Sequence, residues 1–114
     1  MGPRQFEIWL ADLNPRMGTE PGKTRPVVIV QTDLLNEFHP STVVCPITSQ
    51  VNEDLNILRV HIRKGGLEKP SDVMVDQLRA IDNRRLLRRV GALTKEQAAA
   101  LKNNLKIVLD LQFP

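Results

Sequence analysis

Three short stretches carry side chains suited to holding a phosphate. The segment Gly18-Thr-Glu20-Pro-Gly22-Lys-Thr-Arg25-Pro26 runs directly into Val27-Val-Ile-Val30. A polar, glycine-containing loop thus delivers an arginine to the start of an apolar strand, where its base is held while its guanidinium reaches outward. A planar guanidinium offers parallel donors to two oxygens, which suits a phosphate. The alternative is a solvated arginine beside a turn. Pro46-Ile-Thr48-Ser49-Gln50 ends another strand with three consecutive hydroxyl or amide side chains. These can donate to phosphate oxygens or base edges, or close a strand-end turn on the backbone. Gln77 and Arg79 follow a third strand, placed either to read base edges or to support a loop.

Other reactive residue types offer less. The two histidines, His39 before Pro40 and His61 inside a strand, have no spacing that makes them partners, and both are read as structural. Neither they nor the single cysteine has metal-ligand spacing, so no metal site and no cofactor is expected. Cys45 lies within a predicted strand and reads as a small buried hydrophobe. The run Arg84-Arg85…Arg88-Arg89 reads as a solvated face or a set of ion pairs.

These residues need a frame. Alternation predicts strands over Phe6 to Asp12, Thr42 to Thr48 and Leu58 to Ile62, with shorter ones over Asp72 to Val75 and Arg88 to Ala92. In the first, Phe6, Ile8 and Leu10 share one face, and Glu7, Trp9 and Ala11 the other. Arg25 to Gln31 is also a strand, and its continuous Val27 to Val30 run implies burial on both faces. Leu13 to Thr24 is a long loop. Thr32 and Asp33 cap a short turn through Leu34 and Leu35. Pro46 predicts a strand edge or bulge, and Gly65-Gly66 a turn. Thr94-Lys-Glu-Gln97 is a capping box opening a helix, with Ala98, Leu101, Leu105 and Val108 at helical spacing and an end near Leu111. Strands first and one helix last suggest a small antiparallel barrel, mainly β with a C-terminal helix, forming one domain over residues 1–114.

Composition bounds the class. The 114 residues are 41% hydrophobic and 25% charged, which suits a folded globular chain rather than a disordered one. The longest apolar run is far too short to span a membrane, and no secretory signal is evident. A cytoplasmic setting is expected, with no internal disulfide. The formal net charge is +3, compatible with a phosphate-bearing partner without demonstrating one. Aromatics are only 4%, namely Phe6, Trp9, Phe38 and Phe113, so a stacking platform for bases is thin.

Taken in order, Trp9-Leu-Ala-Asp-Leu13, Gly18-x-Glu20, Thr24-Arg25-Pro26-Val-Val-Ile-Val30, Pro46-Ile-Thr48-Ser49, Val75-Asp-Gln77-Leu-Arg79-Ala-Ile81-Asp82 and Arg85-Leu-Leu-Arg-Arg-Val-Gly91 resemble the MazF/PemK/Kid group of toxins. The similarity covers nearly the whole chain; each motif is weakly specific and the ordered set highly so. The resemblance implies an SH3-like, Kid/CcdB-type barrel, a homodimer, and metal-independent cleavage of single-stranded RNA, mainly messenger RNA, at a short sequence. It implies a cognate antitoxin with an acidic inhibitory segment, and DNA binding by the joint complex. The family's functional arginine falls on Arg25, its threonine on Thr48, and the loop glutamate on Glu20. Lys23, Pro26, Ser49, Gln50, Gln77 and Arg79 are the implied RNA contacts. One departure is Pro21, where many members carry glutamine. It removes an amide and a backbone donor, which bears on specificity more than on cleavage.

Metal-free cleavage would use the ribose 2'-hydroxyl as nucleophile and leave a cyclic phosphate and a free 5'-hydroxyl. Arg25 would stabilise charge on the phosphoryl oxygens, Thr48 would donate to the same phosphate, and Glu20 would act as base. The rival reading within the fold is a CcdB-type poison of DNA gyrase, a binding function. Such chains depend on a tryptophan-containing C-terminal tail, whereas this chain ends Leu111-Gln-Phe113-Pro114 and has only Trp9. A plain SH3-like interaction module would need neither the rim arginine nor the hydroxyl cluster.

Overall fold

A computed structural model describes residues 2–15, 17–20, 22–63 and 67–111. The strands are β1 (Glu7–Asp12), β2 (Thr24–Ile29), β3 (Ser41–Thr48), β4 (Arg59–Ile62), β5 (Ser71–Met74), β6 (Arg79–Asp82) and β7 (Leu86–Ala92). The helices are the single turn α1 (Asp33–Asn36) and the long α2 (Lys95–Val108), with 3-10 turns at Val75–Gln77 and Asn83–Arg85. The expected mainly-β fold with a C-terminal helix is therefore what forms. The Gly65-Gly66 turn lies outside the described residues.

Every ladder is antiparallel, in the order β4-β5-β3-β2-β1-β7, and β6 joins β3 off that path. β3 is the pivot. Its Ser41–Val44 half pairs with β6, while Ile47 and Thr48 pair with β5. Cys45 and Pro46 have no ladder partner on that side. Proline lacks a donor, and here it stands where the strand changes neighbours rather than at the sheet edge. β2 is paired on both flanks only from Val27 onward, so Thr24, Arg25 and Pro26 project past β3 with β1 as their only ladder neighbour.

The core has two parts. Val28 joins Ile8, Cys45, Ile47, Val73 and the α2 residues Leu101 and Leu105. Val27 and Ile29 point the other way, into a cluster with Ala11, Leu13, Val44 and Ile81. This explains the unbroken apolar run of β2: both of its faces are covered, and each such side chain contributes about 1.5–3 kcal/mol on burial. β1 keeps the expected alternation: Phe6 and Ile8 face the first cluster, and Trp9 and Ala11 the second. Its register with β7 shifts between Ile8 and Trp9 and again between Leu10 and Ala11. Leu10, on the Ile8 face, is half-buried and lines the open side of the sheet.

α2 starts where the capping box places it. Thr94 accepts from the Gln97 N–H, and the Gln97 side chain accepts from the Thr94 N–H. It ends at Val108, before the expected Leu111, with Asp110 at φ 56 closing the turn. The sequence pattern alone does not predict β6. Its Arg-Ala-Ile-Asp has one buried apolar residue, Ile81, too little to announce a strand. Among the described residues, no helix is long and apolar enough to cross a membrane.

Candidate active site

The loop ahead of β2 is held at its base by backbone contacts. The Leu13 N–H donates to the Lys23 carbonyl at 2.9 Å, and the Lys23 N–H donates to Asn14 Oδ1 at 2.8 Å. These bonds hold Lys23 in a left-handed conformation, φ 67, that a side-chain-bearing residue adopts at a cost. Arg85, from the 3-10 turn before β7, donates to the carbonyls of Asp12 and Asn14 and ties the loop to the far side of the sheet. At the tip, Gly18 takes φ 55 and the Glu20 N–H donates to the Met17 carbonyl at 2.9 Å. Arg25 leaves β2 half-buried, with Nε donating to the Gly22 carbonyl at 2.9 Å. That bond orients the guanidinium along the loop.

Across from it, Thr48 closes β3. Its hydroxyl oxygen accepts from the Gln50 N–H at 3.1 Å, a local turn that leaves Ser49 and Gln50 exposed. Arg25, Thr48, Glu20, Lys23, Pro26, Ser49 and Gln50 all line one open depression of about 1240 Å³. Gln77 and Arg79 do not line it. β6 pairs with the Ser41–Val44 half of β3, whereas the depression opens at the Thr48 end. Arg79 lies opposite Val44, and one of its guanidinium nitrogens is buried without a hydrogen-bond partner.

Electrostatically the depression is basic. Its described lining holds six cationic side chains, Lys23, Arg25, Arg59, Lys69, Arg88 and Arg89, against two carboxylates, Glu20 and Glu68. Clefts lined by one sign of charge concentrate ligands of the other. Four of these cations, Arg59, Lys69, Arg88 and Arg89, were not among the residues singled out from sequence. Arg88 and Arg89 come from the run read as solvated or ion-paired, and both readings describe part of it. Arg84 pairs with Asp82 at 2.9 Å and Arg89 with Glu7 at 2.7 Å, yet Arg88 and Arg89 also reach the depression because β7 lies beside β1. Burial alone would raise the pKa of Glu7. Bonds from the Trp9 indole, the Arg4 N–H and Arg89 outweigh it and hold the carboxyl below its usual range.

Beside Thr48 lies a buried carboxylate. Asp72 is fully buried and accepts from the Asn52 N–H at 2.9 Å, from Arg59 at 3.0 Å and from His61 Nδ1 at 2.7 Å. Burial works against its charge, but these bonds prevail and hold its pKa below the ordinary aspartate value. The His61–Asp72 pair has the geometry of a general-base dyad. However, His61 does not line the depression, and its other nitrogen is buried without a partner. It presents no basic nitrogen to a ligand, in agreement with a structural role. His39 is exposed on a loop. Cys45 is fully buried, and burial, with Asp76 nearby, pushes its thiol up to about 12. That agrees with the reading of Cys45 as a small hydrophobe.

The chain is similar to known proteins over nearly its whole length. Residues 4–109 match the family described as PemK-like, MazF-like toxin of type II toxin-antitoxin system. The endoribonuclease MazF of Staphylococcus epidermidis is 36% identical over 110 residues, spanning 95% of this chain and 92% of that one. The structure of the Mycobacterium tuberculosis toxin MazF-mt6 superposes with a TM-score of 0.79 at 29% identity, covering 94% of this chain and 99% of that one. A mycobacterial endoribonuclease solved in complex with its cognate antitoxin shares the fold, with a TM-score of 0.81 at 18% identity over 98% and 99% of the two chains.

Proposed function

Because this chain belongs to the PemK-like, MazF-like toxin family of type II toxin-antitoxin systems, we propose that the basic depression between the loop before β2 and the end of β3 is where it binds and cuts single-stranded RNA. The chain is an endoribonuclease and the toxin of such a module. The gyrase-poison reading is not favoured: the relatives that match over nearly the whole chain are endoribonucleases. The observation that carries the assignment of the site is the convergence of Arg25 and Thr48, from different strands, on one depression whose described cations outnumber its carboxylates six to two.

In this reading the ribose 2'-hydroxyl attacks the adjacent phosphorus, the bond from phosphorus to the 5'-oxygen breaks, the departing 5'-oxygen takes a proton from solvent, and the products are a 2',3'-cyclic phosphate and a 5'-hydroxyl. Arg25 offers its fork to the non-bridging oxygens as charge accumulates on them. It is a stabiliser rather than a proton donor, since arginine stays protonated throughout the neutral range. Thr48 donates a hydrogen bond from its hydroxyl to the same phosphate while its oxygen still accepts from the Gln50 N–H. Glu20, on the loop facing this pair, takes the 2'-hydroxyl proton. Lys23, Pro26, Ser49 and Gln50 contact backbone and bases, with Arg59, Arg88 and Arg89 extending the basic track. Messenger RNA in the cytoplasm is the expected substrate, and a homodimer the expected form. The cognate antitoxin would cover the same surface with an acidic segment, which suits the charge of the depression and competes directly with RNA.

The test is to incubate purified protein with mixed single-stranded RNA in excess EDTA, beside Arg25→Ala, and to map the ends. Discrete cuts ending in cyclic phosphate, absent from the variant, are expected. A folded Arg25→Ala that cuts like wild type would sink the site assignment.

A further inference from the structure

The segment Ser49–Leu58, which follows Thr48, is a long stretch without regular structure, yet it is tied down at several points by groups outside itself. Asp72 accepts from the Asn52 N–H at 2.9 Å. Arg59 Nη1 bridges Asp72, at 3.0 Å, and the Gln50 carbonyl, at 3.1 Å. Glu53 pairs with Arg63, which also lies 3.7 Å from Asp72. Farther along, the buried Asn104 of α2 donates to the Asn56 carbonyl at 3.0 Å. Three of these four ties run to Asp72 or to a cation beside it. A loop of this length left free would sample many conformations, and each ordered residue costs about 1–2 kcal/mol of backbone entropy.

Register explains why this carboxylate can do so. Asp72 faces Thr48 across the β3–β5 ladder and His61 across the β4–β5 ladder. Val60, Ile62 and Val73 fill the core on one face of this small sheet, which leaves Arg59, His61, Arg63 and Asp72 together on the other. A carboxylate with no solvent exposure needs partners to stay charged. Here the partners are His61, the loop's own backbone and the arginine that grips the loop's second residue.

We propose that Asp72 is a positioning residue for RNA recognition: through Asn52 and Arg59 it holds the Ser49–Leu58 segment in one conformation, so that Ser49 and Gln50 meet the RNA in a fixed register. The inference rests on the reading of the depression as the RNA site. Asp72 touches no substrate. Its contribution is selectivity: the clamped loop favours one base sequence because it cannot rearrange to accept others. Placing a contact wrongly by about an ångström can cost on the order of a hundredfold in rate, so a loosened loop loses most at the preferred sequence and least at the others.

The experiment compares wild type with Asp72→Asn, which is nearly isosteric, and with Asn52→Pro, which deletes the loop's backbone donor to Asp72 together with the Asn52 acceptor for the Asp54 N–H, and leaves the Arg59, His61 and Asp72 side chains in place. Two readouts are taken at a temperature where all three proteins are folded. In hydrogen-deuterium exchange, peptides covering 49–58 should exchange faster in both variants while α2 is unchanged. In cleavage of an RNA pool, the ratio of kcat/KM at the preferred site to that at single-base variants should fall about tenfold or more. Unchanged exchange in the loop overturns the clamp. Faster exchange with an unchanged ratio overturns the link to selectivity, because a purely structural role lowers all sites alike. If wild type cuts no RNA, the reading of the depression fails instead, and the exchange result alone still decides whether the clamp exists.

Discussion

Thr48 and Asp72 are direct ladder partners, the last pair of β3 against β5. The hydroxyl that lines the depression and the carboxylate that anchors the following loop are thus set side by side by strand register. This coupling ties the stability of a buried charge cluster to the geometry of the candidate site.

Arg25→Ala should fold normally, because the residue sits at a strand end outside both core clusters. RNA cleavage should fall by roughly a hundred- to a thousandfold, the usual loss when one charge-stabilising donor is removed from a transition state. Arg25→Lys should recover part of this, since it keeps the charge but loses the fork and the Nε bond to Gly22. Single-turnover cleavage of a defined RNA measures both.

Thr48→Ser should retain most activity, and Thr48→Ala should lose tenfold or more, if the hydroxyl rather than the methyl matters. The alanine also removes the acceptor for the Gln50 N–H. A kcat effect without a KM effect would mark the hydroxyl as acting in the transition state.

Asp72→Ala should cost about 3–5 kcal/mol in chemical denaturation, because Arg59 is left beside a buried void without its counter-charge and His61 without its hydrogen-bond partner. The pH dependence has a definite sign. The folded-state pKa of Asp72 is depressed, so its stabilisation is fully present above the ordinary aspartate value near ~4 and is lost as pH falls below that towards the folded pKa. Below about pH 4 the unfolding midpoint should fall more steeply with decreasing pH in wild type than in Asp72→Asn.

Cys45 should resist alkylation in the native protein. Its thiol is fully buried and is pushed up to about 12, so the reactive thiolate is scarce and inaccessible. Labelling by iodoacetamide at neutral pH should follow global unfolding, and a urea titration of labelling should trace the denaturation curve.

RNA affinity should fall steeply with salt. The six cations among the described residues that line the depression predict a log–log slope of about −0.7 for each phosphate they contact on a single strand. Arg88→Ala should make the slope shallower by roughly one such increment and weaken all sequences alike, because a phosphate contact carries no base preference. Fluorescence anisotropy on a non-cleavable RNA reads this out.

Much of this protein is determined by short-range physics that the sequence displays. The Val27–Val30 run announces a strand covered on both faces. Thr94 and Gln97 announce the start of α2, since a capping box satisfies its own orphan donors without outside help. The ordered motifs place Arg25 and Thr48 at strand ends, where a side chain is held at its base and free at its tip. What the tertiary structure alone decides is which distant residues become neighbours. β6 exists because Ile81 finds the second core cluster, not because Arg79–Asp82 has strand character of its own. Arg88 and Arg89 join the depression only because β7 docks beside β1 with two bulges. Asp72 becomes an anchor only because two ladders bring Thr48 and His61 to either side of it. Register and docking depend on burial summed over the whole chain, and no local stretch of sequence carries that sum.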